Sequence, residues 1–298
     1  MAAMRSVSPV LVLLGASGRL GRAVQPLAVA AGFHVVAVAR TPPAAPRSGS
    51  TQWVGADLTV VRDRARVAAA VTNRTASSGP IYVVDVVLDR SGVDAMRRSI
   101  RGATEGVLQL RTEFRAAGRE TTLIAASTTA VLAPGLYQTP YGLAKRRQVV
   151  TYARSGVAGA ALLLPQLGPE TGTASKPQPT WSFEQAAQAL VSAVSAAPHH
   201  GFTVRVPALA ADVRSSHVAI NDSTLLAHLH SLVLDRDSML AHRAAARGRL
   251  GWTPERLRLR FDHHHAPAEL VRRFAKRYHL AVVDERSGCG PIPWGSHD

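Results

Sequence analysis

The reading of LVLLGASGRLGRAV, Leu11–Val24, decides the fold. An aliphatic run stops at Gly15, and glycines follow at Gly18 and Gly21. Two readings account for them: a tight turn with nothing bound, or a backbone kept bare so that a phosphate can approach. A lone glycine pattern is weak, and its context decides. Here the glycines follow a strand-length apolar run, Val10–Leu14, and open a segment of helical spacing, Leu20–Ala31. In that place Gly15 permits the turn, Gly18 leaves room for a pyrophosphate, and Gly21 lets the helix close on the sheet. The helix start adds free N–H groups and a partial positive charge.

The chain beyond this stretch alternates. Apolar runs at His34–Ala39, Thr51–Gly55, Ile81–Leu88, Thr121–Ser127 and Gly159–Pro165 are separated by helical patterns at Arg64–Val71, Val93–Ala117 and Tyr141–Arg154. Near-continuous apolar strands alternating with helices predict a doubly wound parallel sheet, the α/β Rossmann architecture, which binds ligands at the carboxyl ends of its strands. Pro/Gly/Ser-rich breaks fall at residues 41–50 and 168–180. The second divides a nucleotide-binding domain, residues 1–167, from a smaller, mostly helical substrate-binding part, residues 168–298, that partly continues the core. That part carries helical patterns at Phe183–Ala196, Ser223–Val233 and Ala266–His279, a strand at Phe202–Val206, and an irregular tail from Ser287.

The second strand ends in Arg40, where a carboxylate would hold a ribose 2′-hydroxyl, and Arg19 lies within the glycine stretch. Two guanidiniums suit a 2′-phosphate, so the pattern favours NADP over NAD. Asp57 and Leu58 follow the third strand, where such a pair often meets an adenine ring and a surface Asp would be equally ordinary.

The stretch STTAVLAPGLYQTPYGLAK, Ser127–Lys145, carries the chemistry. Tyr141 and Lys145 are four apart and share a helix face. A hydroxyl cluster, Ser127-Thr128-Thr129, ends the fifth strand. Glycine turn, strand-end hydroxyl and Tyr-x-x-x-Lys, in this order, resemble the short-chain dehydrogenase/reductase family over about Val10–Leu167. GASGRLG, GADLT, TPYGLAK and LLLPQLGP are similar to its extended branch, with its deoxysugar 4-ketoreductases and epimerases. The resemblance implies a triad of Tyr141, Lys145 and Thr128, with Ser127 as second choice for the hydroxyl. Val131 fits the Val three residues beyond that hydroxyl, and Tyr137 lacks a Lys four residues on. The resemblance also implies cofactor contacts from Gly15, Ser17, Gly18, Arg19, Leu20 and Gly21. Arg40, Asp57, Leu58, Val86, Lys145 and Pro165 complete that set, Lys145 through the nicotinamide ribose.

Reducing a ketone needs a hydride at carbon and a proton at oxygen. NADPH supplies the hydride. A phenol ordinarily ionises near pH 10, and the Lys145 ammonium and an oxidised nicotinamide favour its ionised form. A proton donor tuned in this way contributes about 10²–10⁴ in rate. Thr128 would hold the carbonyl oxygen. The expectation is therefore an NADPH-dependent reductase of a small or natural-product carbonyl compound, with nucleotide-linked keto sugars as one class. The alternatives are an epimerase that retains its cofactor, a non-catalytic NADP sensor, and a scaffold with a vestigial site; Tyr141 and Lys145 count against the sensor. Two departures stand out. Thr129-Ala130 replace the Asp-Glu pair of the 4,6-dehydratases, and Asp85-Val86-Val87 replaces the His-x-Ala of extended members.

Net charge is +15 over 298 residues, with lysine at Lys145, Lys176 and Lys276 and arginine elsewhere. The arginines are scattered without helix-turn-helix or zinc-finger spacing, which argues against nucleic acid and for a small, anionic substrate. No apolar run approaches the roughly 20 residues of a membrane span, and the N-terminus lacks the pattern of a signal peptide. One cysteine, Cys289, excludes an internal disulfide and suits a reducing cytoplasm. His199-His200, His228 with His230, and His263-His264-His265 lack zinc spacing, so no metal is expected. The segment Glu269–Leu280 reads as an amphipathic helix covering the core with Leu270, Phe274 and Tyr278. Homodimerisation through the long helices is implied by the resemblance.

Overall fold

Val10–Leu14 (β1) is buried along its whole length, as a strand is when both faces of its sheet are covered. The computed structural model describes residues 9–43, 49–73, 79–132, 140–164, 167, 181–197, 200–207 and 274–284. β1 pairs in parallel with β2 (His34–Ala39) on one side and β4 (Ile81–Asp85) on the other. β3 (Thr51–Gly55) pairs in parallel with β2, and β5 (Thr121–Thr128) with β4. With β6 (Ala158–Leu164), β7 (Phe202–Val206) and β8 (Ala281–Asp284) the strand order is β3-β2-β1-β4-β5-β6-β7-β8. The order switches direction between β1 and β4, and ligands of such sheets bind at the carboxyl ends of the strands beside the switch.

The helices are α1 (Arg19–Ala30), α2 (Val61–Thr72), α3 (Val93–Ala116), α4 (Pro140–Arg154) and α5 (Phe183–Ser195). A 3₁₀ turn, Thr129–Leu132, follows β5. None of the described helices is long and apolar enough to cross a membrane.

Two compact units interleave along the chain. One holds Met1–Ala126, Thr151–Ala161 and Phe183–Phe202; the other holds Ser127–Val150, Leu162–Ser182 and Thr203–Asp298. In the first, α1 buries Val24 and Ala28, and it packs against α5, whose buried face is Ala186, Ala187, Leu190, Val191, Ala193 and Val194. α3 buries Ile100, Val107, Leu110 and Phe114. In the second, Val131, Val149, Leu162, Leu163, Leu164 and Trp181 are buried, and Leu167 and Trp181 form a parallel bridge. β7 and β8 pair in parallel, with Thr203 opposite Ala281.

Strands expected at His34–Ala39, Thr51–Gly55 and Phe202–Val206 are found with those bounds. The run expected to extend to Leu88 leaves the ladder at Asp85, because the Asp85 carboxylate accepts the Val87 N–H at 3.0 Å. β8 was not anticipated: four residues after a helical turn at 274–278 give too short a pattern to read alone. The helix expected at Ser223–Val233 lies outside the described residues, as do residues 266–273 of the helix expected at Ala266–His279.

Gly159 has φ +148°, and a Cβ there would overlap the Leu123 carbonyl of the neighbouring strand. Gly32 has φ +87° but open space around it. Gly159→Ala is therefore expected to cost roughly 3 kcal/mol or more, and Gly32→Ala about 1 kcal/mol from backbone strain alone. Denaturant unfolding of the two variants checks the ranking, and equal costs would contradict it.

Candidate functional site

In the first unit the glycine stretch forms a closed turn. Gly15 has φ +79°, a conformation that disfavours a side chain. The N–H groups of Gly15 and Ala16 both donate to the Val38 carbonyl at 3.1 Å, and Gly18 N–H donates to the Gly15 carbonyl at 3.0 Å. A Cβ on Gly15 would lie 3.1 Å from the backbone of Val86, just beyond β4, and one on Gly21 would overlap the Gly15 carbonyl. Gly18 differs: it is exposed, has φ −71°, and a Cβ would come no closer than 3.2 Å, to the Gly15 carbonyl.

Helix α1 starts with no side-chain cap and no acidic residue in its first turn, while Arg19 and Arg22 are exposed there. Helix-start N–H groups without a side-chain cap, flanked by cations, suit an anion. Ser17 and Leu20 are half-buried beside them.

Arg40 is two-thirds exposed, yet its Nη2 donates to Asp89 Oδ2 at 2.8 Å. The Asp89 carboxyl sits well below the usual carboxylate range, first because the Ser91 hydroxyl and N–H donate to it, and then because of Arg40. Asp57 Oδ1 accepts the Thr59 N–H and hydroxyl at 2.9 and 2.7 Å, which turns the chain towards α2. Its N–H donates to Asp63 Oδ2 at 2.8 Å, the main cause that holds the Asp63 carboxyl below its ordinary range. Leu58 is buried against Gly106 of α3, and its carbonyl accepts Arg64 at 2.8 Å.

Asp85, the last residue of β4, is fully buried. Its Oδ2 accepts the Tyr152 hydroxyl at 2.8 Å, and Tyr152 is itself fully buried. Half-buried Val86 donates its N–H to the Leu14 carbonyl at 3.2 Å.

In the second unit, Ser127 and Thr128 end β5 and, as strand neighbours, point to opposite faces. Both are buried. Thr128 Oγ1 accepts the Ala130 N–H at 3.2 Å, whereas Ser127 Oγ has no hydrogen-bond partner among the described residues. On α4, Tyr141 is half-buried and Lys145 is only 2% exposed. Lys145 Nζ donates to Gln148 Oε1 at 2.9 Å, and that amide is also buried. Arg146 Nε donates to the Val131 carbonyl at 2.7 Å, and Nη2 reaches the same oxygen, which pins the turn after Thr128. Burial lowers the Arg146 pKa, and a hydrogen bond with Tyr278 partly opposes this.

Pro165 and Tyr137 lie outside the described residues, as do Cys289 and all the singled-out histidines except His200, which is exposed. Among the described residues no cluster of His, Cys, Asp or Glu could hold a metal. Sequence reading missed Gln148, Arg146, Asp89 and the Tyr152 partner of Asp85. Positions 141, 145, 148 and 152 share one face of α4, so Gln148 and Tyr152 were within reach of the helical period. The partners of Arg146 and Asp89 carry no such signal.

Asp63 and Asp89 both sit below the ordinary carboxylate value of about 3.9, so their stabilisation is complete above about pH 5 and lost as pH falls towards the folded values. Asp63→Asn is expected to give a shallower acid decline of the thermal midpoint between about pH 5 and 2. An unchanged slope would contradict the assignment.

No protein-family model and no curated protein sequence matches the chain. Solved structures do. A short chain dehydrogenase from Burkholderia cenocepacia J2315, in complex with NADP, is similar over 79% of this chain and 97% of that one, at 16% identity and a TM-score of 0.51. Glucuronic acid dehydrogenase from Chromohalobacter salexigens matches over 66% and 75% of the two chains, at 16% identity and TM-score 0.49. UDP-N-acetylglucosamine 4-epimerase from Bacillus cereus matches over 66% and 78%, at 14% identity and TM-score 0.48. The first of these likenesses shows the fold alone: the chain has a doubly wound α/β fold of the Rossmann type, as that structure does.

Proposed function

We propose that this chain is an NADP(H)-dependent reductase of the short-chain dehydrogenase/reductase type, acting on the carbonyl group of a small molecule in a reducing cytoplasm. The observation that carries the reading is Lys145. A lysine four residues from a packing tyrosine would ordinarily keep its ammonium in water. Here the lysine is buried and the tyrosine half-exposed, the reverse of a packing arrangement. Taking an ammonium out of water costs several kcal/mol before pairing, and a proton-transfer site gives that cost a purpose.

The start of α1, whose first N–H groups meet no side-chain cap, fits the pyrophosphate of a dinucleotide, and Arg40 fits a 2′-phosphate. When bound, the nicotinamide supplies hydride to the carbonyl carbon. Tyr141 gives the phenolic proton to the carbonyl oxygen, and the ammonium of Lys145 stabilises the phenolate left behind. Ser127 orients the carbonyl oxygen: its buried hydroxyl has no partner among the described residues, which costs about 1–3 kcal/mol unless a ligand meets it. Thr128, already accepting the Ala130 N–H, is the second candidate. The net charge of +15 favours an anionic substrate, for which a nucleotide-linked keto sugar is the class to try first. A homodimer through the long helices belongs to the same reading.

Titration with NADPH and NADH, followed by nicotinamide fluorescence, tests the cofactor. Binding of neither would sink the reductase. Against a panel of small ketones that includes nucleotide-linked keto sugars, Tyr141→Phe is expected to bind NADPH as before but lose about 100-fold or more in kcat. Ser127→Ala should lower kcat more than Thr128→Val does. Retained turnover in Tyr141→Phe would remove the tyrosine from its role.

A further inference from the structure

Arg40 and Asp89 are 49 residues apart in sequence, and the hydrogen bond between them crosses the ligand edge of the first unit. Arg40 follows β2 and Asp89 lies four residues beyond β4, the two strands that flank β1. Neighbouring strands are about 4.8 Å apart, so the pair reaches across roughly two such spacings, past the carboxyl end of β1 where Gly15 begins its turn.

The two partners are held very differently. Asp89 Oδ1 accepts the Ser91 N–H at 2.9 Å and the Ser91 hydroxyl at 2.7 Å. The Asp89 N–H donates to Ser99 Oγ at 3.1 Å, and that hydroxyl donates to the Met96 carbonyl at 2.9 Å. The Asp89 side chain is 17% exposed, against 67% for Arg40. The carboxylate is therefore a fixed part of the β4–α3 loop, built without help from Arg40. The guanidinium is the partner that can turn away.

Resting on the cofactor reading above, we propose that Asp89 is a cofactor-selectivity residue: its carboxylate competes with a 2′-phosphate for Arg40 and accepts a hydrogen bond from a 2′-hydroxyl. A 2′-phosphate that takes Nη2 of Arg40 must displace Asp89 Oδ2, and on any other N–H of that guanidinium it still lies beside a fixed negative charge. A free 2′-hydroxyl meets an acceptor instead. An acid at the end of β2 would serve that hydroxyl directly; here the β4–α3 loop supplies the acid, on the far side of β1. The site therefore discriminates less between NADPH and NADH than Arg40 alone would make it do.

The test is the pair of dissociation constants for NADPH and NADH, read by nicotinamide fluorescence in wild type, Asp89→Asn, Arg40→Ala and the double variant. Asp89→Asn is expected to tighten NADPH about three- to tenfold, through removal of one exposed ion pair and one like-charge contact. NADH should be unchanged or weaker. In the Arg40→Ala background the same change should tighten NADPH less, because the competition for Arg40 is gone. An NADPH-to-NADH ratio in Asp89→Asn within about twofold of wild type would overturn the proposal. Wild type supplies a check that needs no variant: its two affinities are expected to lie within about a hundredfold, and a larger gap would overturn the proposal. Wild type that binds neither cofactor would overturn the cofactor reading itself, a result distinct from binding with an unmoved ratio.

Discussion

A carboxylate with no access to water organises the ligand edge of the first unit. Asp85 ends the strand beside the switch point, and a buried carboxylate is tolerable only when donors meet it. The Tyr152 hydroxyl and the Val87 N–H are two such donors. Meeting them has structural consequences. Taking the Val87 N–H out of the ladder stops β4 beside Gly15, where a Cβ would come within 3.1 Å of the Val86 and Val87 backbone. Engaging Tyr152 fixes the last turn of α4. From α3, the two Nη groups of Arg111 then close that helix end by donating to the Ser155 and Gly156 carbonyls, each at 3.0 Å.

Much of this fold was legible because parallel strands buried on both faces read as aliphatic blocks. The glycine turn, the five expected helices that fall within the described residues up to Ser195, and the strands beside them were placed to within a few residues. What could not be read is side-chain pairing over distance. Nothing in the run IYVVDVVLD announces that Asp85 meets a tyrosine 67 residues on, or that Asp89 turns back to Arg40. The same holds within the site. The Tyr141–Lys145 spacing was visible, but the burial of Lys145 and its pairing with Gln148 depend on what packs over the helix face. The different situations of Ser127 and Thr128 depend on the 3₁₀ turn, which ties up one hydroxyl and not the other.

The basic excess also acquires a structural meaning. Arg64, Arg111, Arg119 and Arg146 each donate to backbone carbonyls at the ends of strands, helices or loops. A planar guanidinium with several N–H groups can serve two acceptors or grip one twice, which an ammonium does less well. Several arginines thus act as internal fasteners.

The three glycines of the opening turn answer to different masters. At position 15 the backbone is left-handed, with φ +79°, and at position 21 a methyl group would collide with the protein's own backbone, so any descendant that stopped using a ligand would still be held to both. Their persistence through a lineage would record the demands of folding. Gly18 is under no comparable compulsion, since it is exposed and its backbone suits any residue. It is the place where drift would first mark the loss of a bound phosphate.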